Sequence, residues 1–322
     1  MPYHGDKVVT YIDKRYSTTR MLSNNPPEIK SKSDEKFKAL LFLPIRADRI
    51  AEGGLRTKGY FKKTVDNKPL ITVITVVLNS EKYIEKTIDS IIHQTYSNIE
   101  YIVIDGCSSD GTLNIIKSFE NQIDYWISEK DDGIFDAMNK GITISTGEYI
   151  SFINAGDTYF SETTVEKAIC SVNQNDEILY GDFYNLLKGM IKSPKKVSKF
   201  YLYCGNICHQ AVFFRRALFS KIGFYDTKYL IGGDPDWILR AFNSSTKFRY
   251  LNMPICVYAG GGVSDNFEML FETKRRLRKN YFTKSERFFY FWLNIIVSIY
   301  NRVRVLDFSV PYLLKILLRD QR

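Results

Sequence analysis

Two apolar, β-prone runs in this sequence lead into carboxylates. IEYIVID, residues 99–105, ends on Asp105, and YISFIN, residues 149–154, leads through Ala155 and Gly156 to Asp157. A carboxylate at the end of a buried strand can accept hydrogen bonds from a ribose or base. It can also hold a divalent cation that bridges a diphosphate, with oxygens and water completing the shell. The same residues suit a plain chain reversal, since Asn, Gly and Asp are ordinary turn residues. A third acid, Asp234, stands between Gly233 and Pro235 at the head of a helical pattern, where an N-cap is the simplest reading. Asp136 and Asn139 are three apart on one predicted helix, so both can face one ligand, or simply solvent. Cys204, Cys208 and His209 crowd together but are too few, at the wrong spacing, for a structural zinc site, and we expect no zinc.

The elements that must position these residues begin at Leu70. ITVITVVLN, residues 71–79, is a continuous β-branched run; Ile84, Ile88, Ile91 and Ile92 follow at helical spacing; then comes the strand ending on Asp105. Further helices are marked by Leu113, Ile116 and Phe119, and by Ile134, Met138 and Ile142, with a short strand at 125–127 between them. Strands alternating with amphipathic helices predict an α/β fold with a mostly parallel central sheet and helices on both faces. Ligands of such sheets sit beyond the carboxyl ends of the strands, the edge that Asp105 and Asp157 share. Neither a P-loop nor a G-x-G-x-x-G fingerprint follows the first strand, where Asn79-Ser80-Glu81 stands instead. We divide the chain into an arm and connector at 1–69, a main domain at 70–265 and a basic amphipathic helical tail at 266–322. Residues 1–36 read as a loosely ordered arm and 38–45 as a candidate strand. Gly260-Gly261-Gly262 reads as a hinge or a turn.

With 322 residues and 44% hydrophobic composition, the chain can bury a substantial core. Its net charge of +9 is concentrated: residues 271–322 carry twelve Lys or Arg against four acids. These charges flank FFYFWLNIIVSIY, residues 288–300, which is too short to span a bilayer core of roughly 30 Å. With a second apolar stretch at 311–319, the pattern predicts interfacial helices drawn to anionic lipid; a helix pair packed on the main domain or on a second subunit is the alternative. The aromatic and aliphatic runs suit lipid better than a phosphate backbone, so we expect no nucleic acid. The five cysteines are odd in number and scattered, and residues 1–10 are polar, which fits a reducing cytoplasm.

Three segments carry a resemblance: TVITVVLNSEKYIEKTIDSIIHQTYSNIEYIVIDGCSSDGT, DDGIFDAMNKGITISTGEYISFINAGD and GGDPDWILRA. In this order and separation, over roughly residues 70–265, the chain resembles a family 2 glycosyltransferase of GT-A fold, most closely the bacterial enzymes that build surface polysaccharides. The resemblance implies a nucleotide-diphosphate sugar donor, a Mg²⁺ or Mn²⁺ ion, and inversion at the anomeric carbon. It implies Asp157 as metal ligand, in a motif where Gly156 replaces the usual preceding acid, so that an Asp at 156 should be tolerated. It implies Asp105 as nucleotide contact, although Asp105-Gly106 replaces the commoner Asp-Asp. Asp132, in Asp131-Asp132-Gly133, together with Asp136 and Asn139, falls where the family lies against nucleotide and donor sugar. Asp234 takes the place of the catalytic base, with Asp236, His209 and Gln210 on the acceptor side. The expected protein is a metal-dependent enzyme of hexosyltransferase type, acting on a glycan or lipid-linked glycan in capsule, O-antigen or exopolysaccharide synthesis. It would be cytoplasmic and peripheral on the inner face of the membrane, with homo-oligomers possible. The alternative is an inactive sugar-nucleotide-binding or scaffold protein on the same fold.

Overall fold

The computed structural model describes residues 13–28, 39–65, 68–173, 175–260 and 267–304. Ten strands form one sheet: β1 Ala51–Gly53, β2 Ile71–Val77, β3 Ile99–Asp105, β4 Tyr125–Ser128, β5 Tyr149–Phe152, β6 Thr158–Tyr159, β7 Ile178–Asn185, β8 Gly189–Ile191, β9 Val212–Arg215 and β10 Phe248–Tyr258. The order is β1-β4-β3-β2-β5-β9-β7-β10-β6, with β8 paired to β7. Strands β4, β3, β2 and β5 are parallel neighbours, as are β7 and β10, and β9 joins the two blocks antiparallel to both. The helices are α1 Ile84–Ile92, α2 Thr112–Ser118, α3 Ile134–Thr143, α4 Thr164–Cys170, α5 Lys199–Cys204, α6 Ala217–Ile222, α7 Gly233–Asn243, α8 Phe267–Tyr281 and α9 Lys284–Arg304.

The continuous β-branched run of β2 is buried over its whole length because helices cover both sheet faces. Alternate residues serve the two layers. Ile74 and Val76 pack with Met138 and Ile142 of α3, whereas Val73 and Val77 pack with Ile84, Ile88 and Ile91 of α1. The first layer also takes in Trp237 of α7 and Phe219 of α6. The parallel pairing aligns Val77 with Asp105, so β2 and β3 end together and their following loops open on one edge.

The N-terminal part departs from expectation. Residues 39–45 form no strand: Leu40 N–H donates to Thr143 O at the end of α3, and Leu41 O accepts from Arg56. Their backbone partners are thus a helix end and a guanidinium instead of a ladder. The connector supplies β1 in their place, antiparallel to β4. Within the predicted loose arm, Ser17, Thr18 and Thr19 are buried, and Ser17 Oγ donates to Ile91 O. Residues 1–12 and 29–38, Gly261 and Gly262, and the stretch 311–319 lie outside the described residues.

Helix α8 and the residue after it pack closely on the rest of the protein. Leu277 and Phe282 join the core, Arg278 lies 4.3 Å over the Tyr203 ring, and Tyr281 Oη donates to Asp236. Helix α9 packs Tyr290 against Phe200, Tyr203 and Phe282. Its other side leaves Phe288, Phe289, Phe291, Trp292 and Ile299 more than half exposed, or at half for Trp292. No helix among the described residues is long and apolar enough to cross a membrane.

Candidate active site

Asp157 lies five residues beyond the end of β5, with 5% of its surface exposed. Its Oδ2 accepts from Gln210 Nε2 at 2.8 Å and its Oδ1 from the Ala259 backbone N–H at 2.9 Å. No Lys or Arg pairs with it among the described residues, and burial pushes its pKa up against those two bonds. Its bonded donors are neutral, the nearby His209 is the charge that favours its ionised form, and each oxygen keeps a further lone pair. No cluster of three or more His, Cys, Asp or Glu able to hold a metal occurs among the described residues. Asp157 could supply a single carboxylate ligand, so a divalent ion there would need phosphate oxygens and water for the rest of its shell.

Gly156 has a φ of 102°. That conformation suits glycine and strains any L side chain, although an added Cβ would find open space, with Ala259 Cβ at 3.9 Å. The absent acid is thus a matter of backbone geometry, and an Asp at 156 is not freely tolerated as the sequence suggested.

Asp234 is the second residue of α7, and the helix is capped by Gly232 in the left-handed region, without a side-chain capping bond. Its carboxylate is consequently free for other work. Oδ2 accepts from Asn206 Nδ2 at 2.8 Å and lies 3.4 Å from His209 Nδ1, an ion-pair contact. No partner engages Oδ1 among the described residues. The opening of α7 is pinned on both sides: a Cβ at Gly233 would strike the Phe135 ring of α3, and one at Gly232 would strike Thr273 of α8. His209 Nε2 lies 3.1 Å from Asn154 Nδ2. Burial alone would lower the imidazole's pKa, but Asp234 beside it outweighs burial and raises it above the ordinary 6.5. Asn154 Oδ1 is buried without a partner. An amide rotation would present it to a protonated Nε2.

Asp105 is fully buried at the end of β3. It accepts from Ser108 N–H and Oγ and, at 2.6 Å, from Ser128 Oγ, so its carboxylate shapes the loop after β3. A carboxylate that does face this edge comes from Asp131, which sequence reasoning passed over for its exposed neighbour Asp132. An added Cβ at Gly106 would lie 2.4 Å from Asp131 Oδ2, while Oδ1 accepts from Gly133 N–H at 2.9 Å. Burial raises the Asp131 pKa, and the charges of Asp136 and Asp105 act in the same direction. Only the tertiary approach of the two loops reveals the pairing of a missing side chain at 106 with an acid at 131.

The remaining candidates divide. Asp136 accepts from the Asp132 backbone N–H at 3.2 Å and lies 3.6 Å from Lys140. Asn139 points away from Asp136's partners: its amide clamps the backbone N–H and C=O of Tyr225, tying α3 to the loop before α7. Asp236 gives both oxygens to Arg240 and Tyr281, at 2.9 and 2.7 Å. Gln210 faces Asp157.

A parallel α/β half joined to a mixed half, with acids beyond the strand ends, is the architecture of the GT-A class of transferase. The family model for glycosyl transferase family 2 matches residues 72–223. A "PGL/p-HBAD biosynthesis glycosyltransferase" of Mycobacterium tuberculosis is 30% identical over 204 residues, covering 61% of this chain and 80% of that protein. The chain belongs to glycosyltransferase family 2. Among solved structures, Staphylococcus aureus TarS 1-349 in complex with UDP-GlcNAc matches with a TM-score of 0.52 at 18% identity, over 60% of this chain and 59% of that one. The mannosyltransferase PcManGT of Pyrobaculum calidifontis, in complex with GDP-Man and Mn²⁺, matches with a TM-score of 0.50 at 19% identity, over 65% and 61% of the two chains. This chain spans less than two thirds of either, and at these identities the likeness is one of fold.

Proposed function

We propose that this glycosyltransferase is a metal-dependent, inverting enzyme. In this reading it moves a hexosyl group from a nucleotide-diphosphate sugar to a hydroxyl of a glycan or lipid-linked glycan in surface-polysaccharide synthesis. The observation that carries the reading is Asp234: one oxygen is held by Asn206 and His209, and the other meets no partner among the described residues, at the sheet edge that also bears Asp157. Asp234 Oδ1 takes the proton of the acceptor hydroxyl as its oxygen bonds to the anomeric carbon. The bond from that carbon to the diphosphate breaks, and the diphosphate leaves with its electron pair. A divalent ion at Asp157 would neutralise the departing charge. The loop shaped by Asp105, with Asp131, Asp132 and Asp136, lies beside the nucleotide and donor sugar. The UDP-GlcNAc and GDP-Man complexes of the fold neighbours support a sugar-nucleotide donor.

The test is a screen of nucleotide sugars for metal-dependent release of nucleotide diphosphate in the presence of acceptor. Release that chelator abolishes and Mn²⁺ or Mg²⁺ restores is expected; a protein that binds donor and never turns over is the inactive alternative.

The exposed aromatic face of α9, bordered by Lys284 and Arg287, supports peripheral contact with anionic lipid on the cytoplasmic face. Because α8 is packed into the domain, point changes test this better than truncation. Replacing Phe288 and Trp292 by Ser should release the protein from anionic vesicles and leave transfer to a soluble acceptor intact. Unchanged vesicle binding would assign that face to another partner.

A further inference from the structure

The two carboxylates of the proposed mechanism come from distant parts of the chain, yet one short turn touches both. The 3₁₀ turn His209–Ala211 places His209 against Asp234 and the next residue, Gln210, against Asp157. We propose that His209-Gln210 is a positioning pair that fixes Asp234 relative to Asp157, with His209 setting which oxygen of Asp234 acts as base.

His209 is anchored from behind. Asn154, three residues before Asp157 in the sequence, meets Nε2 at 3.1 Å through its Nδ2, which can only donate. With the amide in this orientation Nε2 accepts and the ring proton resides on Nδ1; with the amide rotated, a doubly protonated ring bonds Asn154 Oδ1 and still carries Nδ1–H, so in both cases a donor faces Asp234 Oδ2 at 3.4 Å. Asn206 Nδ2 donates to the same oxygen at 2.8 Å. The Asn206 bond and the Nδ1–H of His209 against Oδ2 hold the carboxylate rotamer and leave Oδ1 to face the acceptor hydroxyl. Neither donor gives up its proton during transfer, so His209 holds the base in place without taking part in the proton balance.

Gln210 completes the link. Its Nε2 donates to Asp157 Oδ2, its side chain is nearly buried, and its Oε1 accepts from Cys208 Sγ. The backbone of one dipeptide thereby sets the spacing between proton acceptance and leaving-group stabilisation. A misplacement of about 1 Å at a reacting group can cost roughly 10²-fold in rate.

The inference rests on Asp234 being the base, and the experiment separates the two. Transfer by His209→Ala, His209→Asn, His209→Gln and Asp234→Asn is compared at saturating and limiting donor. His209→Ala should lose roughly 10²-fold in kcat with donor KM within twofold, and free imidazole should restore part of the loss. Asn places an amide N–H near the position of Nδ1, whereas Gln reaches only toward Nε2, so His209→Asn should retain more transfer than His209→Gln. Combining His209→Ala with Asp234→Asn should add little to the loss from Asp234→Asn alone. If Asp234→Asn is inactive while His209→Ala keeps its kcat, the positioning role falls and the base stands. If His209→Gln matches His209→Asn, or imidazole gives no recovery, the contact to Asp234 is merely structural and the proposal falls. Full activity in Asp234→Asn overturns the base and this inference together.

Discussion

The two sides of the sheet edge treat their polar groups in opposite ways. On the β3–α3 side the charges and amides are largely satisfied within the protein. Asp105 is bonded by Ser108 and Ser128, Glu129 is paired with Arg49 at 3.0 Å and Lys140 at 3.1 Å, and Asn139 is bonded to the Tyr225 backbone. On the β5–α7 side Asp157 and Asp234 meet amides, a backbone N–H and one imidazole, and no Lys or Arg among the described residues. A buried carboxylate without a cation is costly unless function supplies one. In the proposed reading the first side is a frame that offers a ligand shape, and the second is a pair of acids that a cation and a hydroxyl would complete. Asp131 is the exception on the first side, with Oδ2 turned toward the space over Gly106.

Substitutions on the two sides should consequently fail in different ways. The largest effect is expected at Asp234→Asn, where transfer should fall by ~10² to 10⁴-fold, about 3 to 5 kcal/mol, while donor binding by calorimetry is unchanged. Loss of donor affinity with transfer intact would reverse the assignment of the two sides. Asp105→Asn should instead act on stability: one oxygen is replaced by an amide NH₂ donor facing serine donors, at a cost of about 1 to 3 kcal/mol read by denaturant or thermal unfolding. A fully stable Asp105→Asn with greatly weakened donor binding would make Asp105 a ligand contact after all. Gly156→Asp forces a side chain onto a φ of 102° and should cost about 1 to 2 kcal/mol without tightening metal binding. Tighter metal binding at no cost in stability would show that the missing acid, and not the backbone, limits this site. The smallest effect is expected at Gly106→Ala, whose Cβ displaces Asp131 Oδ2: donor KM should rise about fivefold, roughly 1 kcal/mol, with kcat unchanged. No change in KM would leave Asp131 outside the donor site.

Much of the frame was legible in the sequence because its signals are local. Unbroken β-branched runs mark strands buried on both faces, and the isoleucines of α1 repeat at helical spacing, so a mostly parallel sheet followed directly. The missed strand at Ala51–Gly53 is only three residues long and exists through its pairing with β4. The apolar run at 38–45 misled for the complementary reason, since hydrophobicity alone does not say whether a backbone finds a ladder or a helix end.

Within the site, sequence determined residue types and the elements that carry them: Asp105 ends β3, Asp157 follows β5 and Asp234 opens α7, as the pattern predicted. What each carboxylate is free to do depends on which of its lone pairs other residues already use, and those residues are far away in the chain. Asp105 is used by a serine 23 residues on, Asp234 is held by Asn206 from 28 residues before, and Asp236 gives one oxygen to Tyr281, 45 residues on. Hydrogen-bond capacity is finite and directional, so a carboxylate's chemistry is settled only when the whole chain has folded around it. The sequence specified the acids near the edge, and tertiary packing alone decided that Asp234 would keep one oxygen without a partner among the described residues while both oxygens of Asp105 and Asp236 are engaged.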